Sequence, residues 1–227
     1  MTADRVIVFD VGSTLIHPDS AALADWLKLH TSEVRDLATV DRAFRLAIGA
    51  KGNPRAKSDL TLSEARVFFS NLDFVVDDVR ASKMWSEIVL AGGARSWLYS
   101  VLPADVKPTL MELKARGWRV IAASNSDGTL HDELEAFDLV HLFEKIYDSA
   151  SMGVEKPAKE FYAAVLRGFN DAWTVHVGDD LANDCIAPSK LGFDQVILVD
   201  PANIYPHVKF CRRVNCVSEV LEHLEGA

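Results

Sequence analysis

The sequence predicts an α/β protein: a three-layer core around a parallel sheet, with an all-helical insertion after the first strand. Three observations predict it. Short apolar runs that each stop at polar residues alternate with helical patterns in the second half of the chain. The stretch from about His17 to Leu102 carries helical periodicity and no convincing strand. The chain has 227 residues, 49% of them apolar, enough for one full core and a smaller companion.

The first element is Val6-Ile7-Val8-Phe9, a continuous apolar run ending at Asp10, as suits a strand buried on both faces. Three more runs follow. Trp118 to Ala123 leads into Ser124-Asn125, Thr174 to Val177 into Gly178-Asp179, and Gln195 to Val199 into Asp200. Between them Val106 to Ala115, Ala158 to Arg167 and Leu181 to Leu191 read as helices, stopped by Gly117 and Gly192 or started after Pro157. This alternation is that of a doubly wound layer. In the insertion, Ala22 to Leu29, Glu33 to Ile48, Leu62 to Phe69 and Val79 to Leu90 are helical in pattern, with Gly52-Asn53-Pro54 as a turn. The division implied is a core of residues 1–16 and 103–227, and a helical cap of residues 17–102.

The net charge of −9 argues against a nucleic-acid binder, which needs clustered Lys and Arg to neutralise phosphates. No apolar run reaches the roughly 18 residues of a membrane span. Met1-Thr2-Ala3-Asp4-Arg5 is not the start of a signal peptide, so a cytoplasmic location is expected. Cys185, Cys211 and Cys216 are too sparse for a disulfide scaffold and read as reduced thiols, and no second cysteine pair supports a zinc site. The expected partner is a small molecule; the sequence does not indicate an oligomeric state.

In an open parallel sheet, ligands gather at the carboxyl ends of the strands, and here those ends carry Asp10, Ser124-Asn125 and Asp179. Lys156, just before Pro157, adds a cation suited to an anionic substrate.

These residues carry a family resemblance. Phe9-Asp10-Val11-Gly12-Ser13-Thr14-Leu15 resembles the first motif of the haloacid dehalogenase (HAD) superfamily. Ala123-Ser124-Asn125-Ser126 is similar to the second, Glu155-Lys156-Pro157 to the third, and Gly178-Asp179-Asp180-Leu181-Ala182-Asn183-Asp184 to the acidic fourth. The resemblance implies a Rossmann-like core with an inserted helical cap. It also implies a Mg²⁺-dependent phosphatase acting on a small phosphorylated metabolite through an aspartyl-phosphate. Asp10 would be the nucleophile, and Lys156 would hold both Asp10 and the substrate anion. Thr14, Ser124 and Asn125 would contact the phosphoryl group, and Asp10, the Gly12 carbonyl, Asp179 and Asp184 would surround the metal.

The sequence departs from the family pattern at Gly12, where most of its phosphatases carry a second aspartate that protonates the leaving oxygen. General acid–base help is worth typically about 10² to 10⁴ in rate, so substrates with a good leaving group would suffer least. His17, Asp19 and Asp127 lie near the right loops to supply a proton. An inactive binding protein and a 2-haloacid dehalogenase remain alternatives, although family dehalogenases typically lack an acid at the position of Asp179. Other polar residues have simpler readings: Asp180 as a helix cap, His176 as a core histidine, Cys185 and the five tryptophans as packing residues. Arg42, Arg45, Lys51, Arg55 and Lys57 form a basic patch that is most simply a solvated helical face.

Overall fold

The computed structural model describes residues 4–50, 60–90, 98–169 and 171–224. The Gly52-Asn53-Pro54 turn, Lys51, Arg55, Lys57, Trp97 and the chain before Asp4 lie outside the described residues. From its start the chain forms β1 (Arg5–Phe9), β2 (His17–Pro18) and four helices, α1 (Ser20–Thr31), α2 (Leu37–Ala50), α3 (Leu60–Asn71) and α4 (Asp78–Leu90). Then come β3 (Tyr99–Val101), α5 (Val106–Ala115), β4 (Arg119–Ser124), α6 (Leu130–Ala136), β5 (Lys145–Asp148), α7 (Ser149–Met152) and α8 (Lys159–Leu166). The last elements are β6 (Trp173–Gly178), a π-helical turn at Leu181–Ile186, α9 (Ala187–Lys190), β7 (Gln195–Val199), β8 (Arg212–Val214) and α10 (Val220–His223).

The main sheet has the order β5-β4-β1-β6-β7-β8 with every pair parallel. β1 sits inside it because Val6, Ile7, Val8 and Phe9 are all fully buried, leaving no face for water. Val6, Val8, Ile121, Ala123, Val196 and Leu198 pack with Phe161, Tyr162 and Val165 of α8 on one side. The alternate residues Ile7, Phe9, Val120, Ala122, Val175 and Val177 are buried too, so both faces are covered, each such side chain contributing roughly 1.5–3 kcal/mol. Val8 lies beside Ile121 and His176, and Phe9 beside Ala122 and Val177. This register brings the carboxyl ends of β1, β4 and β6 level.

Four strands escape the sequence reading: β2 and β3, which pair as a two-stranded sheet in the stretch expected to hold none, and β5 and β8 of the main sheet. β5 and β8 flank the sheet, are short and carry charge, so neither shows an apolar run. The helix expected over Leu181 to Leu191 is divided into a π-turn and α9, and Pro188 within it has no N–H to donate to a regular ladder. Cys185 and Cys211, expected as reduced thiols, are joined in a disulfide, and their spacing of 26 residues gives no sign that the fold brings them together. No helix among the described residues is long and apolar enough to cross a membrane.

The chain divides into two compact units, residues 18–101 and the remainder. The helical unit has a core of its own, built from Leu23 and Leu27 of α1, Phe44 of α2, Phe68 and Phe69 of α3 and Trp85 of α4, among others. Its buried Trp85 Nε1 donates to Glu64 Oε2 at 2.7 Å, and its buried Arg45 Nε donates to Asp41 Oδ2 at 2.9 Å.

Candidate active site

Asp10 leaves β1 with its backbone N–H still in the sheet, donating to the Val177 carbonyl at 2.8 Å. The chain then turns sharply. The N–H groups of Leu15 and Ile16 donate to the Val11 carbonyl at 2.8 and 3.0 Å, and Ser13 N–H donates to the Ile16 carbonyl at 2.7 Å. This turn carries Gly12 and folds the fully buried Thr14 back, so that its hydroxyl lies 3.3 Å from both Asp10 Oδ2 and Asp179 Oδ1.

The two Asp10 oxygens meet different surroundings. Oδ1 accepts from Ser124 Oγ at 2.9 Å and from Lys156 Nζ at 2.6 Å. Oδ2 faces Thr14 and, across it, Asp179. Lys156 Nζ also donates to Asp184 Oδ1 at 2.7 Å, so one buried ammonium bridges two buried carboxylates. Carboxylate oxygens of Asp10, Asp179 and Asp184 lie within 4.8 Å of one another.

Lys156 is fixed from its own backbone. Asn125 Nδ2 donates to the Lys156 carbonyl at 3.0 Å, and Lys156 N–H donates to Asn125 Oδ1 at 2.8 Å, beside a cis Lys156–Pro157 peptide. Asn125 therefore grips the lysine peptide. Asp184 is fixed at several points: Oδ2 accepts from Asp180 N–H at 3.0 Å, and Oδ1 lies 3.0 Å from His176 Nε2. A Cβ at Gly178 would overlap the Asp184 carboxyl, so this position needs glycine for steric reasons.

Burial raises the Asp10 carboxyl above its usual range; Lys156 opposes this, and the like charge of Asp184 reinforces it. For Asp184 burial works in the same direction, but the Lys156 charge and the His176 hydrogen bond outweigh it and lower the carboxyl to about 2. Burial works against the Lys156 ammonium too, yet Asp10 and Asp184 together hold its pKa above the ordinary lysine value. Asp180 is pushed up to about 6 by burial and then by Asp184. Asp180 is also the cap expected from the sequence, its side chain accepting from Ala182 and Asn183 N–H groups at 2.8 Å each.

Asp10, Thr14, Ser124, Lys156, Asp179 and Asp184 are thus brought together. The three residues named as proton sources make local contacts of their own. Asp19 caps α1, accepting from Ala21 and Ala22 N–H groups; Asp127 accepts from the Thr129 hydroxyl; His17 Nε2 lies 3.2 Å from the Thr14 carbonyl. Sequence reasoning missed His176 and Gly178 as partners of Asp184. The available signal was a polar residue inside a buried strand, eight positions before the last acid of the fourth motif.

A family model for haloacid dehalogenase-like hydrolases matches residues 5–192. The chain belongs to the haloacid dehalogenase-like hydrolases. Human haloacid dehalogenase-like hydrolase domain-containing protein 3 is 26% identical over 219 residues, covering 90% of this chain and 86% of that protein. Among solved structures, the HAD-hydrolase YfnB from Bacillus subtilis bound to magnesium aligns with a TM-score of 0.67 at 17% identity, covering 99% of this chain and 100% of that one. A predicted phosphoglycolate phosphatase from Haemophilus somnus aligns at 0.63 and 19% identity, covering 98% and 99%. An L-2-haloacid dehalogenase from Xanthobacter autotrophicus with chloropropionic acid covalently bound aligns at 0.59 and 16% identity, again covering 98% and 99%. At these identities the structures share the fold, a sheet and helices that serve both phosphatases and dehalogenases.

Proposed function

We propose that this HAD-like hydrolase is a Mg²⁺-dependent phosphatase for small phosphorylated molecules with a good leaving group, such as an acyl phosphate. The observation that carries this reading is the clustering of Asp10, Asp179 and Asp184 oxygens within 4.8 Å beside a single buried lysine. Hard oxygen donors from three carboxylates suit Mg²⁺, which fits this set better than a soft-metal ion would. Asp10, Asp179 and Asp184 would hold the ion, with the Gly12 carbonyl as the backbone ligand suggested by the family pattern. When bound, it lowers the repulsion between the Asp10 carboxylate and an anionic phosphate.

The chain's own residues do the rest. Asp10 Oδ1 points toward Lys156 and Ser124, the donors an incoming phosphoryl group would share, and is the oxygen we assign to attack. Its bond to phosphorus forms as the bond from phosphorus to the leaving oxygen breaks, and the electron pair departs with the leaving group. Water then attacks the phosphorus of the aspartyl-phosphate, releasing orthophosphate and restoring Asp10. Ser124 and Lys156 steady the phosphoryl charge, and Asn125 holds Lys156 in position.

Gly12 has no proton to give, and Asp19 and Asp127 are occupied in capping and turn contacts. An acyl phosphate leaves as a carboxylate, which needs no proton. The helical unit, residues 18–101, is assigned as the cap that selects substrate. Asp179 disfavours the dehalogenase reading, because a carbon–halogen bond is neutral and its attack needs no cation to offset charge.

Turnover of acetyl phosphate and p-nitrophenyl phosphate, with and without Mg²⁺, tests this reading in the wild type and Gly12→Asp. Metal-dependent turnover is expected, with acetyl phosphate the better substrate and Gly12→Asp gaining on alkyl phosphates. Consumption of 2-chloropropionate with no turnover of any phosphate would assign the chain to the dehalogenases instead.

A further inference from the structure

His176 is fully buried in β6, and its ring is wedged edge-to-face against Tyr162 and Phe193, with centroids 6.0 and 5.1 Å away. Its Nε2 lies 3.0 Å from Asp184 Oδ1, while its Nδ1 is buried with no hydrogen-bond partner among the described residues. Asp184 Oδ1 already accepts from Lys156 Nζ and Oδ2 from Asp180 N–H, so both oxygens act as acceptors and the geometry assigns a proton to His176 Nε2. That leaves Nδ1 a bare lone pair against aromatic rings, a poor arrangement for a residue kept only to fill space.

We infer that His176 is a positioning residue: its Nε2–H fixes Asp184 Oδ1, and through Asp184 the Lys156 ammonium that clasps Asp10. Asp184 Oδ1 receives His176 and Lys156 on the same oxygen, so the line His176–Asp184–Lys156–Asp10 runs through contacts of 3.0, 2.7 and 2.6 Å. Asp184's other oxygen is taken by Asp180 N–H, and Gly178 leaves room for the carboxyl. Without the imidazole, Oδ1 keeps only the flexible Lys156 side chain as donor, and the carboxyl can turn about Oδ2, carrying Lys156 away from Asp10. The inference rests on Asp10 as the nucleophile insofar as it concerns turnover; the His176–Asp184 link stands apart from it.

The test compares His176→Leu, which removes the donor at similar volume, with His176→Gln, whose side-chain amide can present an N–H near the Nε2 position. On acetyl phosphate with Mg²⁺, His176→Leu should lower kcat about 10- to 100-fold with little change in KM. Its Tm should be unchanged or higher, because the orphaned lone pair is gone. His176→Gln should recover most of kcat. A wild-type kcat in His176→Leu, or a loss in both variants that tracks a falling Tm, would overturn the inference. Ring ¹⁵N shifts provide a readout independent of activity. His176, assigned by its absence in His176→Gln, should carry its proton on Nε2, and that signal should move in Asp184→Asn. A proton on Nδ1, or no response to Asp184→Asn, overturns the link whether or not the wild type hydrolyses any phosphate.

Discussion

The two units of this chain bury charge on different terms. In the helical unit the buried Arg45 pairs with Asp41, and the buried Glu64 accepts from Trp85 Nε1. In the α/β unit, Asp10 and Asp184 are buried and share one lysine, with Asp179 beside them. A matched pair is what stability alone needs, since an uncompensated buried charge is strongly unfavourable. Three carboxylates gathered around one lysine at the strand ends are the arrangement proposed above to take a cation and an anion brought from outside.

Replacing Lys156 breaks that contrast most severely. Lys156→Met leaves Asp10 and Asp184 buried without their cation, so a loss of about 3–5 kcal/mol in urea unfolding is expected, together with loss of turnover. A variant as stable as the wild type would show that the carboxylates are not charged together. Gly178→Ala comes next: the new methyl overlaps the Asp184 carboxyl, and displacing it should cost roughly 1–3 kcal/mol while lowering kcat. An unchanged kcat would mean that Asp184 need not be where the structure holds it. In the helical unit, Trp85→Phe removes one buried hydrogen bond to a carboxylate, worth about 1.5–3 kcal/mol. Turnover of acetyl phosphate per folded molecule should be unaffected; a fall would erase the contrast between the units.

The smallest effect belongs to the surface. Arg119 donates to Glu144 at 2.7 and 2.5 Å and to Asp4 at 2.7 Å. The hydrogen bond from Arg119 holds the Glu144 carboxyl below its usual value of 4.5, with burial opposing it only in part. A lowered carboxyl stabilises the fold above its ordinary range and loses that contribution as pH falls through it. Glu144→Gln should therefore destabilise by less than about 1 kcal/mol near neutral pH, and the difference should shrink as pH falls below 4.5 and vanish once pH is below the lowered folded-state value. A difference that persists in acid would point to packing instead.

The contrast between the units also separates what was legible in the sequence from what was not. β1, β4, β6 and β7 announce themselves as apolar runs because both of their faces are buried, and the residues at their ends mark the site. The flanking strands β5 and β8 carry Lys145, Asp148, Arg212 and Arg213, and one-dimensional periodicity gives no sign of them. The helices α1 to α4 follow their apolar spacing closely. Hidden instead were contacts that periodicity does not report: Asn125 gripping the Lys156 peptide and Cys185 meeting Cys211 across long separations, and Gly178 making space for Asp184 six residues on. His176 was visible only as a polar residue in an apolar run. Its role depends on the π-turn after Asp180, which returns Asp184 toward the strand it follows.

The central claim is that Asp10 attacks phosphorus. Wild-type protein mixed with acetyl phosphate and Mg²⁺, quenched in acid and digested, should give a peptide containing Asp10 heavier by one phosphoryl group. Asp10→Asn should give none and lose turnover by at least about 10³-fold. Turnover that proceeds with the phosphoryl group on another residue, or that survives in Asp10→Asn, would contradict the account.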